Sequence, residues 1–292
     1  MKSRNHLLDL LRVYLALCVV NEHVIVLYNI DESLFLFLPS NIAVYVFFIM
    51  SGYFNYFSII KYKIKEFYFN RFKRIYPQYL AVVFLSLILF IKYLQINELF
   101  EFIFFNSLML NFLKPSFTNF NILSQVKAFN GSLWSIKYEV FYFIIAPLIH
   151  HLTHKSVLKK ILINISPFVL YLLFQDAVFF YYCLFIIGNL IAKKEYVFIS
   201  ILSFLSIFLL PVSFIYSVIL FGLFLILSMN YNVKLKVPDI SYELYLVHFP
   251  IIQFIRLYFK EFNLLAFVVL TISITFSTFL LFKLKKNRFW KI

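Results

Sequence analysis

The chain has 292 residues, 63% of them hydrophobic and only 14% charged, with a mean hydropathy of +0.89, against roughly 45–50% apolar and 25% charged in an ordinary soluble domain. This composition excludes a soluble globule and a disordered chain, and the two cysteines, Cys18 and Cys183, both in apolar runs, exclude a disulfide scaffold. Unbroken apolar runs of about twenty residues, in place of alternating segments of about ten, point to membrane-spanning helices and not to an outer-membrane barrel.

In chain order the runs lie at 7–28, 41–60, 76–94, 133–149, 158–174, 178–192, 196–210, 212–229, 240–258 and 263–284. They predict an all-α polytopic membrane protein of about ten transmembrane helices, forming a single membrane domain over 1–292. Only Pro211 separates the seventh run from the eighth, so one kinked element is the alternative there. The basic start and apolar run of the N-terminus imitate a signal peptide, but Asp9 and Arg12 interrupt the run and no small-x-small site follows. The segment is therefore read as a retained first span. Segment 95–131 is amphipathic and is expected to form a lid or short helices on the outer face.

The net charge of +14 comes from 27 basic and 13 acidic residues. If the first residues are cytoplasmic, so are 61–74, 150–160, 193–194, 234–236 and 283–292, and these segments hold most of the Lys and Arg. The opposite side receives Lys92, Lys114, Lys127, Lys137, Arg256 and Lys260. This asymmetry follows the positive-inside rule and places both termini in the cytoplasm. The charge is then topology and an affinity for membrane lipids, and no nucleic-acid partner is expected.

Ionisable groups inside spans are the functional candidates, because each costs on the order of 3 kcal/mol to insert. Arg12 and His23 are eleven residues apart, within about 20° of three full turns, so they share one helix face with His23 about 16 Å further along. Asn21 and Glu22 flank the histidine; the plainer reading is a helix-end histidine at the interface. In the second span Ser51 and Gly52 interrupt FFIMSGYF, a pattern of close helix packing. Six basic residues then precede Pro77, by default a topology signal or a patch for anionic lipid. The sharper reading gives Arg71 and Arg74, one turn apart, to the phosphates of a cytosolic nucleotide cofactor. At the fourth span Ser135, Glu139 and Tyr142 follow i, i+4, i+7 spacing, and Trp134 is an interfacial anchor. The ninth span carries Glu243, His248 and Pro250. His150, His151 and His154 imitate a metal site, but with no Cys or carboxylate nearby they are read as solvated, and no metal is expected.

Taken in order, LDLLRVYLALCVVNEH, SGY, RFKRIYP, SLWSIKYEVFY and SYELYLVHFP resemble the integral membrane acyltransferase 3 family, whose members O-acylate cell-envelope sugars from an acyl-CoA. The resemblance implies ten helices, a cytoplasmic donor site, and His23 as the essential catalytic residue. It implies that Arg12, Ser51, Gly52, Arg71, Arg74, Trp134, Ser135, Glu139 and His248 belong to the working site. It further implies acyl-CoA, acetyl-CoA above all, as co-substrate, an envelope polysaccharide or lipid-linked glycan as acceptor, and the bacterial inner membrane as location. No extracytoplasmic accessory domain of the kind some members carry is expected. Glu22 beside the histidine and Tyr53 after Ser-Gly depart from the usual residues.

The residue types suit this chemistry in their own right. Thioester transfer to a hydroxyl needs a base, a stabiliser for the oxyanion and a clamp for a polyanionic donor. His23 is the candidate base, with Glu22 or Glu139 orienting its other ring nitrogen; His248 is the alternative base. Arg12, Arg71 and Arg74, with Ser51 and Gly52, are assigned to the donor, and Trp134, Ser135 and Tyr142 to the acceptor. A transporter or flippase for a glycan precursor is the rival reading, weakened by the lack of internal repeats.

Overall fold

The computed structural model of the protein describes residues 6–31, 37–110, 113, 130–195, 197, 199, 210–230 and 238–286. Among these residues the chain is helical and contains no strand. The helices are α1 (His6–Tyr28), α2 (Ser40–Lys61), α3 (Ile64–Phe90), α4 (Ile96–Ser107), α5 (Ile136–Lys155), α6 (Val157–Phe174), α7 (Ala177–Lys193), α8 (Val212–Asn230), α9 (Ser241–Arg256) and α10 (Leu264–Lys286). Short 3₁₀ turns lie at Ile91–Tyr93 and Gly131–Ser135. Among the described residues, seven helical stretches are long and apolar enough to cross a membrane. The protein is a polytopic helical membrane protein. Most of the seventh predicted run, 196–210, lies outside the described residues.

One predicted boundary is corrected. The apolar run predicts a span opening at Tyr76 after a basic cytoplasmic segment, yet α3 begins at Ile64 and continues through Pro77. Ile75, Gln78, Tyr79, Val82, Val83, Ser86 and Phe90 form a buried helical stripe, and Phe67 is buried about two turns before it. Proline removes one backbone donor, but the stripe keeps packing on either side of it. Within the expected outer segment, α4 is a short helix whose first turn is closed by Glu98 accepting from the Gln95 backbone N–H at 3.1 Å.

The chain divides into two compact units. Unit 1 comprises Met1–Leu15, Leu38–Arg71 and Tyr138–Val237; unit 2 comprises Ala16–Phe37, Phe72–Lys137 and Pro238–Ile292. Unit 1 is built around α7, whose residues from Tyr182 to Leu190 are buried throughout. Asp176 starts that helix by accepting from the Val178 N–H at 2.7 Å. A Cβ on Gly52 would stand 2.1 Å from the Phe185 carbonyl oxygen, and one on Gly188 would stand 1.9 Å from that of Ile49. The α2 and α7 backbones therefore touch through their glycines. On α6 and α8, Leu162, Leu173, Ile219, Leu223 and Ile226 are exposed, as apolar faces turned to lipid should be.

Unit 2 is built around α9, which packs on α10 and on the Gly131–Ser135 turn. Asn130 ties that turn to α9: its Oδ1 accepts from the Ser132 N–H at 3.1 Å while its Nδ2 donates to the Leu246 carbonyl at 2.9 Å. Gly131 is required there, since a Cβ would lie 2.6 Å from the Phe249 ring. Inside the unit, Gln78 Nε2 donates to the fully buried Glu243 at 2.8 Å.

Candidate active site

His23 lies on α1 and His248 on α9, and in unit 2 the two rings meet. His23 Nδ1 is 2.7 Å from His248 Nε2, with ring centroids 5.0 Å apart and planes 19° from parallel. Phe249 closes one side edge-on, 4.9 Å from the His23 ring. The second nitrogen of His248, Nδ1, lies 3.1 Å from the Leu244 carbonyl oxygen. A carbonyl only accepts, so His248 Nδ1 carries the proton and, in the neutral ring, Nε2 is an acceptor. His23 must then donate from Nδ1, which leaves its Nε2 as an unprotonated lone pair. The network thus assigns the tautomers of both rings.

The group that meets His23 Nδ1 is therefore a histidine and not a carboxylate. Successive helical residues point about 100° apart, so Glu22 projects away from the His23 face; it is half-exposed. Glu139 is committed elsewhere. Pairing of His248 with His23 depends on two helices distant in sequence, and no spacing rule could have announced it.

Around the pair, the Ser135 hydroxyl is 2.7 Å from Tyr245 OH, and the Tyr245 ring is 5.9 Å from that of His248. Trp134 is 38% exposed beside it in the sequence. Ser135 sits in the 3₁₀ turn and belongs to unit 2, while Glu139 and Tyr142 lie on α5 in unit 1.

Unit 1 holds a second polar arrangement. Ser51 Oγ donates to Glu139 Oε1 at 2.8 Å. One and two turns on, α2 presents Asn55, fully buried, and Ser58. Ser58 accepts from Arg71 Nη2 at 2.7 Å, and the guanidinium carbon stands 4.6 Å over the Phe143 ring. Arg12 stacks on Phe54 at 4.5 Å. Arg74, expected to act with Arg71, is exposed and falls in unit 2. Gly52 serves the α2–α7 contact. Tyr142, expected to meet the acceptor, is instead a core ring, fully buried and stacked on Phe185 at 4.2 Å. The Ser51, Asn55, Ser58 stripe has i, i+4, i+7 spacing, a signal the sequence itself carries.

His150 is half-buried, correcting the expectation of a solvated side chain, and packs on His154 at 4.4 Å. Among the described residues no group of His, Cys, Asp and Glu is gathered to hold a metal ion.

The family model described as an acyltransferase domain, that of acyltransferase 3, matches residues 5–283. The chain belongs to the acyltransferase 3 family. No curated protein and no solved structure matches it. As a member, this acyltransferase 3 protein takes an acyl group from a donor co-substrate and passes it to an acceptor. A base with a free lone pair, held at its other nitrogen, is the arrangement such a transfer uses.

Proposed function

We propose that the protein transfers an acyl group, acetyl in the simplest case, from acyl-CoA to a hydroxyl of a cell-surface carbohydrate or its lipid-linked precursor, at the bacterial inner membrane. The observation that supports this reading is the fixed tautomer of the histidine pair. His23 Nε2 takes the proton of the acceptor hydroxyl as its oxygen attacks the thioester carbonyl. The developing imidazolium stays hydrogen-bonded through Nδ1 to His248, which is itself anchored on the Leu244 carbonyl. The C–S bond then breaks, and the proton passes from His23 to the departing thiolate, giving the ester and free CoA. The base-plus-orienter logic is that of hydrolytic triads, with a histidine in the orienting position.

The donor's phosphates are assigned to Arg71, Arg74 and Arg12, and the acceptor to the neighbourhood of Trp134 and Ser135. Arg71 is suited to this by its setting: Ser58 and the rings of Phe143 and Phe67 hold a guanidinium at the head of α3. Deleting the gene and comparing the ester substituents of purified envelope glycans by proton NMR tests the reading. O-acyl signals should disappear and return with the wild-type gene but not with His23→Gln. An O-acyl pattern unchanged by the deletion would remove the carbohydrate acceptor.

A further inference from the structure

Pro250 lies inside α9 and has no N–H, so the carbonyl of Leu246, four residues earlier, is denied its helical hydrogen bond and is crowded by the proline ring. Leu246 is fully buried, so solvent does not reach it. A donor comes from outside the helix: Asn130 Nδ2 donates to that carbonyl at 2.9 Å. Its Oδ1 meanwhile accepts from the Ser132 N–H at 3.1 Å and from the Ser132 hydroxyl at 2.5 Å. A carbonyl only accepts and an N–H only donates, so these partners fix which end of the amide faces α9. Asn130 and Ser132 are both buried. Asparagine answers this double demand, whereas a carboxylate would set one acceptor against another.

The same short turn grips α9 at two further points. Gly131 lies so close to the Phe249 ring that a Cβ would stand 2.6 Å from it, and Ser135 Oγ is 2.7 Å from Tyr245 OH. The three contacts fall on Tyr245, Leu246 and Phe249, on either side of His248. Two of these residues also stand against the histidines: the Tyr245 ring is 5.9 Å from that of His248, and the Phe249 ring 4.9 Å from that of His23.

We propose that Asn130 is a positioning residue for the histidine pair. Its amide supplies the hydrogen bond that Pro250 withholds from Leu246, and so latches the Gly131–Ser135 turn onto the part of α9 that carries His248. The role rests on the acyl transfer proposed above, with Trp134 and Ser135 of the same turn on the acceptor side. A loosened latch misaligns His248, and with it His23, against the acceptor, and a displacement of about 1 Å at a reacting centre costs on the order of 10²-fold in rate.

Steady-state transfer and thermal unfolding of the purified, reconstituted full chain test this. Asn130→Ala should lower kcat about 10²-fold with the KM for acyl-CoA unchanged. In a Pro250→Ala background the helix itself offers an N–H to Leu246, so adding Asn130→Ala should lower kcat and the unfolding midpoint much less than it does in wild type. Asn130→Asp keeps the size and the Ser132 bonds, and decides the matter if the alanine variant does not insert. It should be slow at neutral pH, and its rate relative to wild type should rise toward about pH 5, as the buried carboxyl gains a proton and its O–H replaces the amide donor. His23→Gln in the same assay separates this role from the reading beneath it. Transfer retained by that variant refutes the base assignment, and the midpoints of the Asn130 and Pro250 variants then decide the latch. Equal losses from Asn130→Ala with and without Pro250, a wild-type kcat in Asn130→Ala, or an Asn130→Asp rate that keeps a constant ratio to wild type across pH would overturn the proposal.

Discussion

At the scale of single residues, His23 and His248 meet through one ring nitrogen each, and the proposed chemistry gives them different tasks. His23 stood out in the sequence because an ionisable group in a span needs a reason. His248 stood out for the same reason, but its pairing with His23 did not, because the two residues lie 225 positions apart. The same limit hid the use of Glu139: spacing offered Ser135 and Tyr142 as companions, whereas the fold gives it Ser51. Ser51→Ala should therefore cost about 1 kcal/mol through the lost hydrogen bond to Glu139, read as a lower thermal unfolding midpoint in detergent. Rescue by Ser51→Thr, which keeps the hydroxyl, would tie the loss to that bond. Arg71→Lys keeps a positive charge but loses the planar fork shared by Ser58 and Phe143. It should raise the apparent KM for acyl-CoA about tenfold with kcat little changed. An unchanged KM would leave Arg71 a structural residue of unit 1.

At the scale of elements, hydrophobic run length located most helices, since a bilayer imposes its own length on any segment that crosses it. Run length placed the start of α3 too late, because its first turns are charged. These turns carry Lys65, Glu66 and Lys73, yet Phe67 is buried among them and the buried stripe from Ile75 continues to Phe90. Glycines decide the packing of α2 on α7. Gly52→Ala and Gly188→Ala each drive a methyl into a backbone carbonyl, which cannot swing aside as a side chain can. Each should lower stability by about 1–3 kcal/mol or more. Gly222→Ala is the internal control, because nothing lies within 4 Å of the added carbon. Thermal unfolding of the three variants checks this, and equal midpoints would contradict the close α2–α7 approach.

For the whole molecule, composition settled the class and the Lys/Arg distribution gave a topology, while the division into two units, each around one buried helix, was not legible. Both α7 and α9 are shorter than typical spans, and each is recognisable as central only once its neighbours are in place. Two segments assigned to the cytoplasm by charge, 150–160 and 193–194, meet in unit 1 through Lys193 and Thr153. Single cysteines at Leu108 and His154, both exposed, should react with an impermeant thiol reagent from opposite sides of the membrane. The native Cys18 and Cys183 are buried and should stay silent. Labelling of both positions from one side would refute the topology.

The central claim is that His23 is the base and His248 the residue that holds it, and single-turnover acyl transfer by the purified, reconstituted protein tests it most directly. His23→Gln removes the proton acceptor and should slow transfer by about 10²–10⁴-fold. His248→Gln keeps an amide oxygen able to accept from His23 Nδ1, so it should remain within about tenfold of wild type, while His248→Ala, which loses that hydrogen bond, should fall well below it. Substantial transfer by His23→Gln, together with an inactive His248→Gln, would contradict the account and move the base to His248.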